Sequence, residues 1–282
     1  MGFDMNRTWS QAIALVQANF QLLAIIAGVF LLLPNVLFYV VLPDFTAMLG
    51  MSQDPEVMSA MLGDMAGRLI AFGLVAMLCQ LIGYMAMVAL MGDSRPTVGE
   101  ALRNAFSNLP TMIGVTILLI LVYIAVGLVL SLATGLLAAA LGALLGEAAA
   151  LLLSFLVLFV LLFAMLYVAA RFTLTVPSVV LGGMRNPVAV LGNSYKLTSP
   201  FAKRIFLFYL LLIVCYLVLS IIIGAVMGLL AAMLGSGPGS ALFIGLVNGV
   251  MAAAVAMIFS GILVSMYEQI AGHGEEIRET FE

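Results

Sequence analysis

The sequence predicts an all-α, polytopic integral membrane protein with six transmembrane helices and three cytoplasmic interfacial amphipathic helices. Three observations predict it. Hydrophobic residues are 65% of the 282 and charged residues 8%, where a soluble domain carries about 45–50% and about 25%. Six apolar runs reach the roughly 20 residues a helix needs to cross a bilayer. The basic residues gather on one side of those runs. With 10 basic and 13 acidic side chains, the chain cannot cover a soluble surface of this size. A soluble globular enzyme, a disordered chain and a nucleic-acid binder are thereby excluded. A mean hydropathy of +1.27 leaves lipid as the solvent.

In chain order, the first element is an amphipathic helix over Thr8–Asn19, with Trp9, Ala12, Ile13, Val16 and Phe20 at helical spacing. Thr8 and Gln11 have the spacing of a capping box. The first span covers Phe20–Leu42, where Pro34-Asn35 predicts a kink because proline removes a helix hydrogen bond. An outer segment, 43–67, follows. It contains Asp54-Pro55 as a cap and first-turn pair, and a helix presenting Met58, Met61, Leu62 and Met65 on one face. That face reads as resting on lipid or capping the bundle. A soft Cu(I) site is the alternative, but metal trafficking ordinarily adds His or Cys. The second span covers Leu69–Met91.

Thr97 and Glu100 then open a second amphipathic helix with another capping box. Its apolar face is Val98, Ala101, Leu102, Ala105 and Leu109. Spans three and four cover Pro110–Leu141 and Ala148–Ala170. Asn186 as N-cap and Pro187 at the first position start the third amphipathic helix, which continues through Val190, Leu191 and Ser194. The last spans cover Ile205–Leu234 and Ala241–Tyr267, and 269–282 is a tail.

With six spans, both termini share a side with 92–109 and 171–204. Nine of the ten basic residues lie there: Arg7, Arg95, Arg103, Arg171, Arg185, Lys196, Lys203, Arg204 and Arg278; the other side holds only Arg68. Such asymmetry places both termini in the cytoplasm.

The three amphipathic helices start 89 residues apart, at Thr8, Thr97 and Asn186. At that offset Thr8, Ala12 and Asn19 meet Thr97, Ala101 and Asn108, while Leu102 and Asn104 meet Leu191 and Asn193. The single membrane domain, 1–282, thus reads as a threefold internal repeat with units 8–91, 97–176 and 186–268. Each unit is an in-plane helix, a span, an outer turn and a returning span. Helices of this kind either brace the bundle ends or contact lipid and partners.

The chemistry-bearing residues are sparse. No carboxylate sits in the middle of a span, His273 is the lone histidine, and Cys79 and Cys215 lie in apolar runs. Neither a paired-carboxylate hydrolase nor a nucleophile with an oriented base can be assembled. The chain is therefore expected not to be an enzyme, with no catalytic residue, cofactor or metal ligand. The neutral polar groups within spans are Gln80, Tyr84, Tyr123, Ser154, Ser220, Asn248 and Ser260. Gln80 and Asn248 are the candidate intramembrane contacts, bonded either to another helix or to a headgroup inside a lateral cavity. Arg171, Arg185, Lys196, Lys203 and Arg204 form a basic belt. Together with Trp9 and Tyr195 they are the candidate contacts to lipid headgroups and the interface, each cation attracting anionic phospholipid by around 1 kcal/mol. Small residues at Gly127, Gly135, Gly224 and Gly228 would permit close helix approach.

The stretch Arg171–Leu212 contains an Arg closing a span, Pro177, the run Ser194-Tyr195-Lys196-Leu197-Thr198, and Lys203-Arg204 leading into another span. This pattern resembles the bacterial membrane domain associated with glycerophosphoryl diester phosphodiesterases and related six-span inner-membrane proteins. Two positions depart from it. Gly182 stands where an acidic residue is common, and Gly192-Asn193 where basic residues are. The resemblance implies a multi-pass protein of the bacterial inner membrane. It does not carry over the diesterase activity, which in such proteins belongs to a separate soluble barrel domain, and only residues 268–282 follow the last span. The expected function is a non-catalytic protein that binds, organises or moves lipid, with membrane lipids as partners. A scaffold subunit of a larger membrane complex, with a membrane-protein partner or a second copy, is the first alternative. A transporter of a small or lipidic solute is the second.

Overall fold

The computed structural model describes residues 3–42, 55–94, 96–235 and 238–281. No strand occurs among them. The order is α1 (Met5–Ala18), α2 (Phe20–Ala27), a π-turn (Gly28–Leu32), α3 (Leu33–Val41), α4 (Pro55–Met91), α5 (Val98–Leu145), α6 (Glu147–Arg171), α7 (Thr175–Val180), α8 (Pro187–Thr198), a 3-10 turn (Ser199–Phe201), α9 (Ala202–Leu234) and α10 (Pro238–Phe281). Six helical stretches are long and apolar enough to cross a membrane: Phe20–Val41, Met65–Met91, Val98–Leu144, Ser154–Val180, Pro187–Ala231 and Gly239–Ala271. Each contains or overlaps one of the six apolar runs. The segment 43–54, with Asp54, lies outside the described residues, as do the side chains of Met58, Met61, Leu62, Arg95, Glu147, His273 and Arg278.

Several helix boundaries differ from expectation. The outer helix and second span are one 37-residue helix, α4, because no proline lies between Met58 and Leu69 to remove a main-chain bond. The second amphipathic segment and third span are likewise fused in the 48-residue α5, with Pro110 inside it. At about 1.5 Å rise per residue, α5 is more than twice as long as a hydrocarbon core of about 30 Å is thick, so it projects beyond lipid. The first and third amphipathic segments do stand apart from their spans. Asn19, at φ −115° and ψ 13°, separates α1 from α2, and the 3-10 turn holding Pro200 separates α8 from α9.

The helix starts follow local capping chemistry. The Glu100 carboxylate accepts from the Thr97 backbone N–H at 2.8 Å and from its hydroxyl at 2.9 Å, the reciprocal arrangement of a capping box. Asn186 Oδ1 accepts from the N–H groups of Val188 and Ala189. Thr8 is a correction: α1 starts at Met5, and Thr8 is a fully buried residue inside it. Phe3 is buried against the Phe208 ring, centroids 6.1 Å apart, which anchors the chain ahead of Thr8 and lets the helix begin a turn early. Gln11, the expected partner in that box, accepts instead from the Ser265 hydroxyl at 3.0 Å. Gly146 (φ 87°) and Gly235 (φ 73°) end α5 and α9 in left-handed backbone that glycine tolerates best.

One compact unit comprises Asn6–Leu109 and Cys215–Ser265. The last turns of α4, Met85 through Met91, are buried on every face, which explains their unbroken apolar run. α1 packs its Thr8–Ala12 face inward, and Gly261 comes so near that a Cβ there would lie 2.9 Å from the Ala12 carbonyl oxygen. A π-turn over Gly28–Leu32 lies just ahead of Pro34, and Asn35 Nδ2 donates to the Leu31 carbonyl at 2.8 Å. Gly83 and Gly249 press on this turn. A Cβ at Gly83 would sit 2.9 Å from Phe30 Cβ, and one at Gly249 would sit 3.0 Å from the Leu32 oxygen. By contrast Gly135, Gly224 and Gly228 meet nothing within 4 Å, and Gly127 touches only Met165 Cε at 3.4 Å. Spacing identifies small residues but not which face of a helix is packed.

The other unit comprises Pro110–Val214 with Met1–Met5 and Met266–Glu282. Buried Tyr209 shares a hydrogen bond with the Thr173 hydroxyl and lies 3.8 Å from Met266 Sδ. A Cβ at Gly114 would meet Pro187 Cγ at 2.7 Å, and the Thr111 hydroxyl donates to the Arg185 carbonyl at 3.1 Å. These contacts fix α8 against α5.

Candidate functional site

The end of α6 leaves main-chain carbonyls without helical partners, and α8 supplies hydroxyls to them. The Arg171 carbonyl accepts from the Ser194 hydroxyl at 3.1 Å and has the Thr198 hydroxyl at 2.9 Å. Ser194 Oγ in turn accepts from the Leu174 N–H at 3.2 Å. Thr175, Ser178, Ser194 and Thr198 are all buried, so a polar knot closes on itself where α6, α7 and α8 meet. Asn193 Nδ2 donates to Ser178 Oγ at 3.2 Å, holding α8 to α7 from a position where the resemblance places a basic residue. Gly182 is also explained. A Cβ there would lie 2.7 Å from both the Ser178 carbonyl oxygen and Tyr267 Oη, leaving no room for an acidic side chain.

The Arg171 side chain stands out within this knot. The residue is only 4% exposed. Its Cζ lies 3.7 Å from the centroid of the Tyr195 ring, and Nη2 is 3.4 Å from Ser199 Oγ. The Nε atom is buried with no hydrogen-bond partner, and no carboxylate pairs with the guanidinium among the described residues. Arginine stays ionised. Removing such a cation from water costs several kcal/mol, against about 2 kcal/mol for a desolvated cation–π contact. Ring and single hydroxyl together leave the charge undercompensated.

A second feature lies in the other unit, between the first two spans. Pro34, Asn35 and Phe38 face Leu69, Phe72, Gly73, Ala76, Met77 and Gln80 across a cleft of about 300 Å³. That is the lower end of the range for ligand pockets, about 300–1,000 Å³. Its origin is local. Gly83 presses on the π-turn, and Gln80 and Asn35, about one turn away on the two helices, line the opening. Leu69, Gly73, Ala76 and Gln80 share one face of α4, so an exposed amide and small residues line the opening.

The structure brings Arg171, Tyr195 and Ser199 together. Lys196, Lys203, Arg204 and Arg185 are exposed, and Trp9 and Tyr195 are 42% and 52% exposed. Gln80 lines the cleft, whereas Asn248 does not: it is exposed and its Nδ2 donates within its own helix, to the Ile244 carbonyl at 2.9 Å. Met65 is buried, so the methionine face is not uniformly outward. Ser199, Thr198 and Asn35 carry geometry that sequence reasoning did not assign to them. The signal for the first two was their place against Pro200, where a helix tightens and its hydroxyls turn toward neighbouring elements. No family model, curated protein or solved structure matches the chain significantly.

Proposed function

We propose that this chain is a non-catalytic bacterial inner-membrane protein that binds, organises or moves lipid. The cleft between the first two spans carries the reading. An amide exposed at Gln80 in an otherwise apolar span seeks a polar partner, and the 300 Å³ opening beside it has room for the ester or glycerol region of one lipid. The positive-inside distribution supports cytoplasmic placement of both termini and of the basic residues, where anionic headgroups are available. The pattern in Arg171–Leu212 supports kinship with the membrane domain associated with glycerophosphoryl diester phosphodiesterases.

Burial supports the threefold repeat. Ala12, Ala101 and Val190 stand 89 residues apart, and each is 0% exposed. At the same offset, Asn19 Nδ2 donates to the Leu15 carbonyl and Asn108 Nδ2 to the Asn104 carbonyl. The amphipathic segments thus bury one face in protein and leave Trp9 or Tyr195 outside, as helices lying at an interface do.

Native mass spectrometry of the full chain, extracted gently from membranes, tests the reading. Retained phospholipid is expected, and Gln80→Leu is expected to lower its occupancy about threefold, the loss of a modest hydrogen bond. Complete absence of lipid from the wild type, or co-purification of a stoichiometric protein partner in its place, would contradict the proposal and favour a scaffold.

A further inference from the structure

We infer that the Arg171 guanidinium, stacked beneath Tyr195 and reaching Ser199, forms a binding site for a phosphate oxyanion. Its ligand class rests on the lipid-binding reading only for the source of the phosphate, a lipid headgroup; the site itself follows from the knot.

Four observations lead there. First, the cation is 4% exposed and its Nε is buried with no partner, so the protein by itself leaves the charge of a planar, forked group undercompensated. That fork suits two oxygens of one phosphate. Second, the Tyr195 ring, 3.7 Å from Cζ, holds the guanidinium in place in advance, which lowers the ordering cost of binding. Third, the side chain does not serve the nearest helix end. The Arg171 carbonyl is taken by Ser194 and Thr198, and among the described residues the polar contact of the guanidinium is the Ser199 hydroxyl alone. Fourth, Lys196, Ser199 and Lys203 fall at i, i+3 and i+7 along the helical stretch Pro187–Ala231. All three are exposed, and Ser199 opens the 3-10 turn that lies between the two lysines in the chain. The hydroxyl that Arg171 touches thus lies between two exposed lysines along the chain, and among the described residues no acid pairs with any of the three cations.

The rival explanation is that Arg171 is only a clip joining α6 to the 3-10 turn. Binding to the full-length protein in detergent separates the two, with phosphatidylglycerol, the phosphate-free monoglucosyl diacylglycerol and inorganic phosphate as probes, read by native mass spectrometry. Phosphatidylglycerol is expected to fill one saturable site that the glucolipid does not. Arg171→Gln is expected to weaken it at least about tenfold, the scale of a charged hydrogen bond, and Arg171→Lys to recover only part, since the fork is lost. Ser199→Ala and Lys203→Gln change exposed positions and leave the hydroxyls on the Arg171 carbonyl in place. They are expected to weaken binding about threefold and about fivefold.

Displacement of the lipid by millimolar inorganic phosphate would identify phosphate itself as sufficient, and resistance to it would identify the lipid headgroup as the ligand; either supports the site. Phosphate binding that depends on Arg171 with no lipid retained would uphold the site and overturn the lipid reading. Lipid binding indifferent to phosphate content, or to Arg171, Ser199 and Lys203 alike, would overturn the site while leaving the cleft intact. Failure of both phosphatidylglycerol and inorganic phosphate to bind the wild type overturns it outright.

Discussion

The two halves of α9 are built from the same apolar residue types and meet different surroundings. In the first, Ala202, Ile205, Phe208 and Tyr209 are buried at helical spacing, packed against Phe3 and bonded to Thr173. In the second, every side chain from Ile213 to Leu219 is exposed. The contrast teaches that an apolar helix need not pack against protein to be stable. Where hydrocarbon is the solvent, an exposed Leu or Val is already at home, and only polar groups force the chain to find partners within itself.

The comparison can be broken most sharply with one residue type at two sites. Ile205→Ala is expected to destabilise the protein by about 2–5 kcal/mol through lost packing and a cavity, whereas Ile221→Ala, at a site 70% exposed, should stay within about 0.5 kcal/mol. Equilibrium unfolding in mixed detergent micelles reads both. Equal losses would mean that Ile221 is covered by protein.

A second pair sharpens the same point at glycine. Gly83→Leu forces side-chain atoms into Phe30 and Leu31 and should cost about 1–3 kcal/mol, while Gly224→Leu meets open space and should be close to neutral. If Gly224→Leu instead disrupted a larger species on size-exclusion chromatography, that open face would be a contact with a partner chain.

The smallest of these effects concerns the polar knot. Thr198→Val keeps the side-chain shape but removes the hydroxyl facing the Arg171 carbonyl, and about 0.5–1.5 kcal/mol should be lost, since Ser194 still donates to that carbonyl. The same change at Thr116, whose hydroxyl bonds only to the Met112 carbonyl of its own helix, should cost less. Hydrogen exchange at the Leu174 amide should rise in Thr198→Val, because Ser194 and Thr198 hold the same carbonyl.

The spans were legible in the sequence because lipid imposes a length and a polarity that a window of about 20 residues registers directly. The caps at Thr97 and Asn186 were legible because their chemistry is completed within three residues. Thr8 misled for the converse reason: Phe3 and Phe208 decide where α1 begins, and they are far apart in the chain. Gln80 could be recognised as a polar group in lipid, but its cleft depends on how Gly83 seats against the π-turn. The Arg171 charge was visible from the outset; its burial beneath Tyr195 was not, because it needs α8 to fold back over the end of α6.

The claim on which the rest depends is that hydrocarbon covers the exposed apolar residues. Single cysteines placed from Ile213 to Leu219 in a background lacking Cys79 and Cys215, with Lys203→Cys as a reference, can be treated with a membrane-impermeant maleimide in inside-out vesicles. Protection along the whole run with rapid labelling at 203 is the expected result. Labelling of the run at rates matching position 203 would mean that water, not lipid, surrounds it.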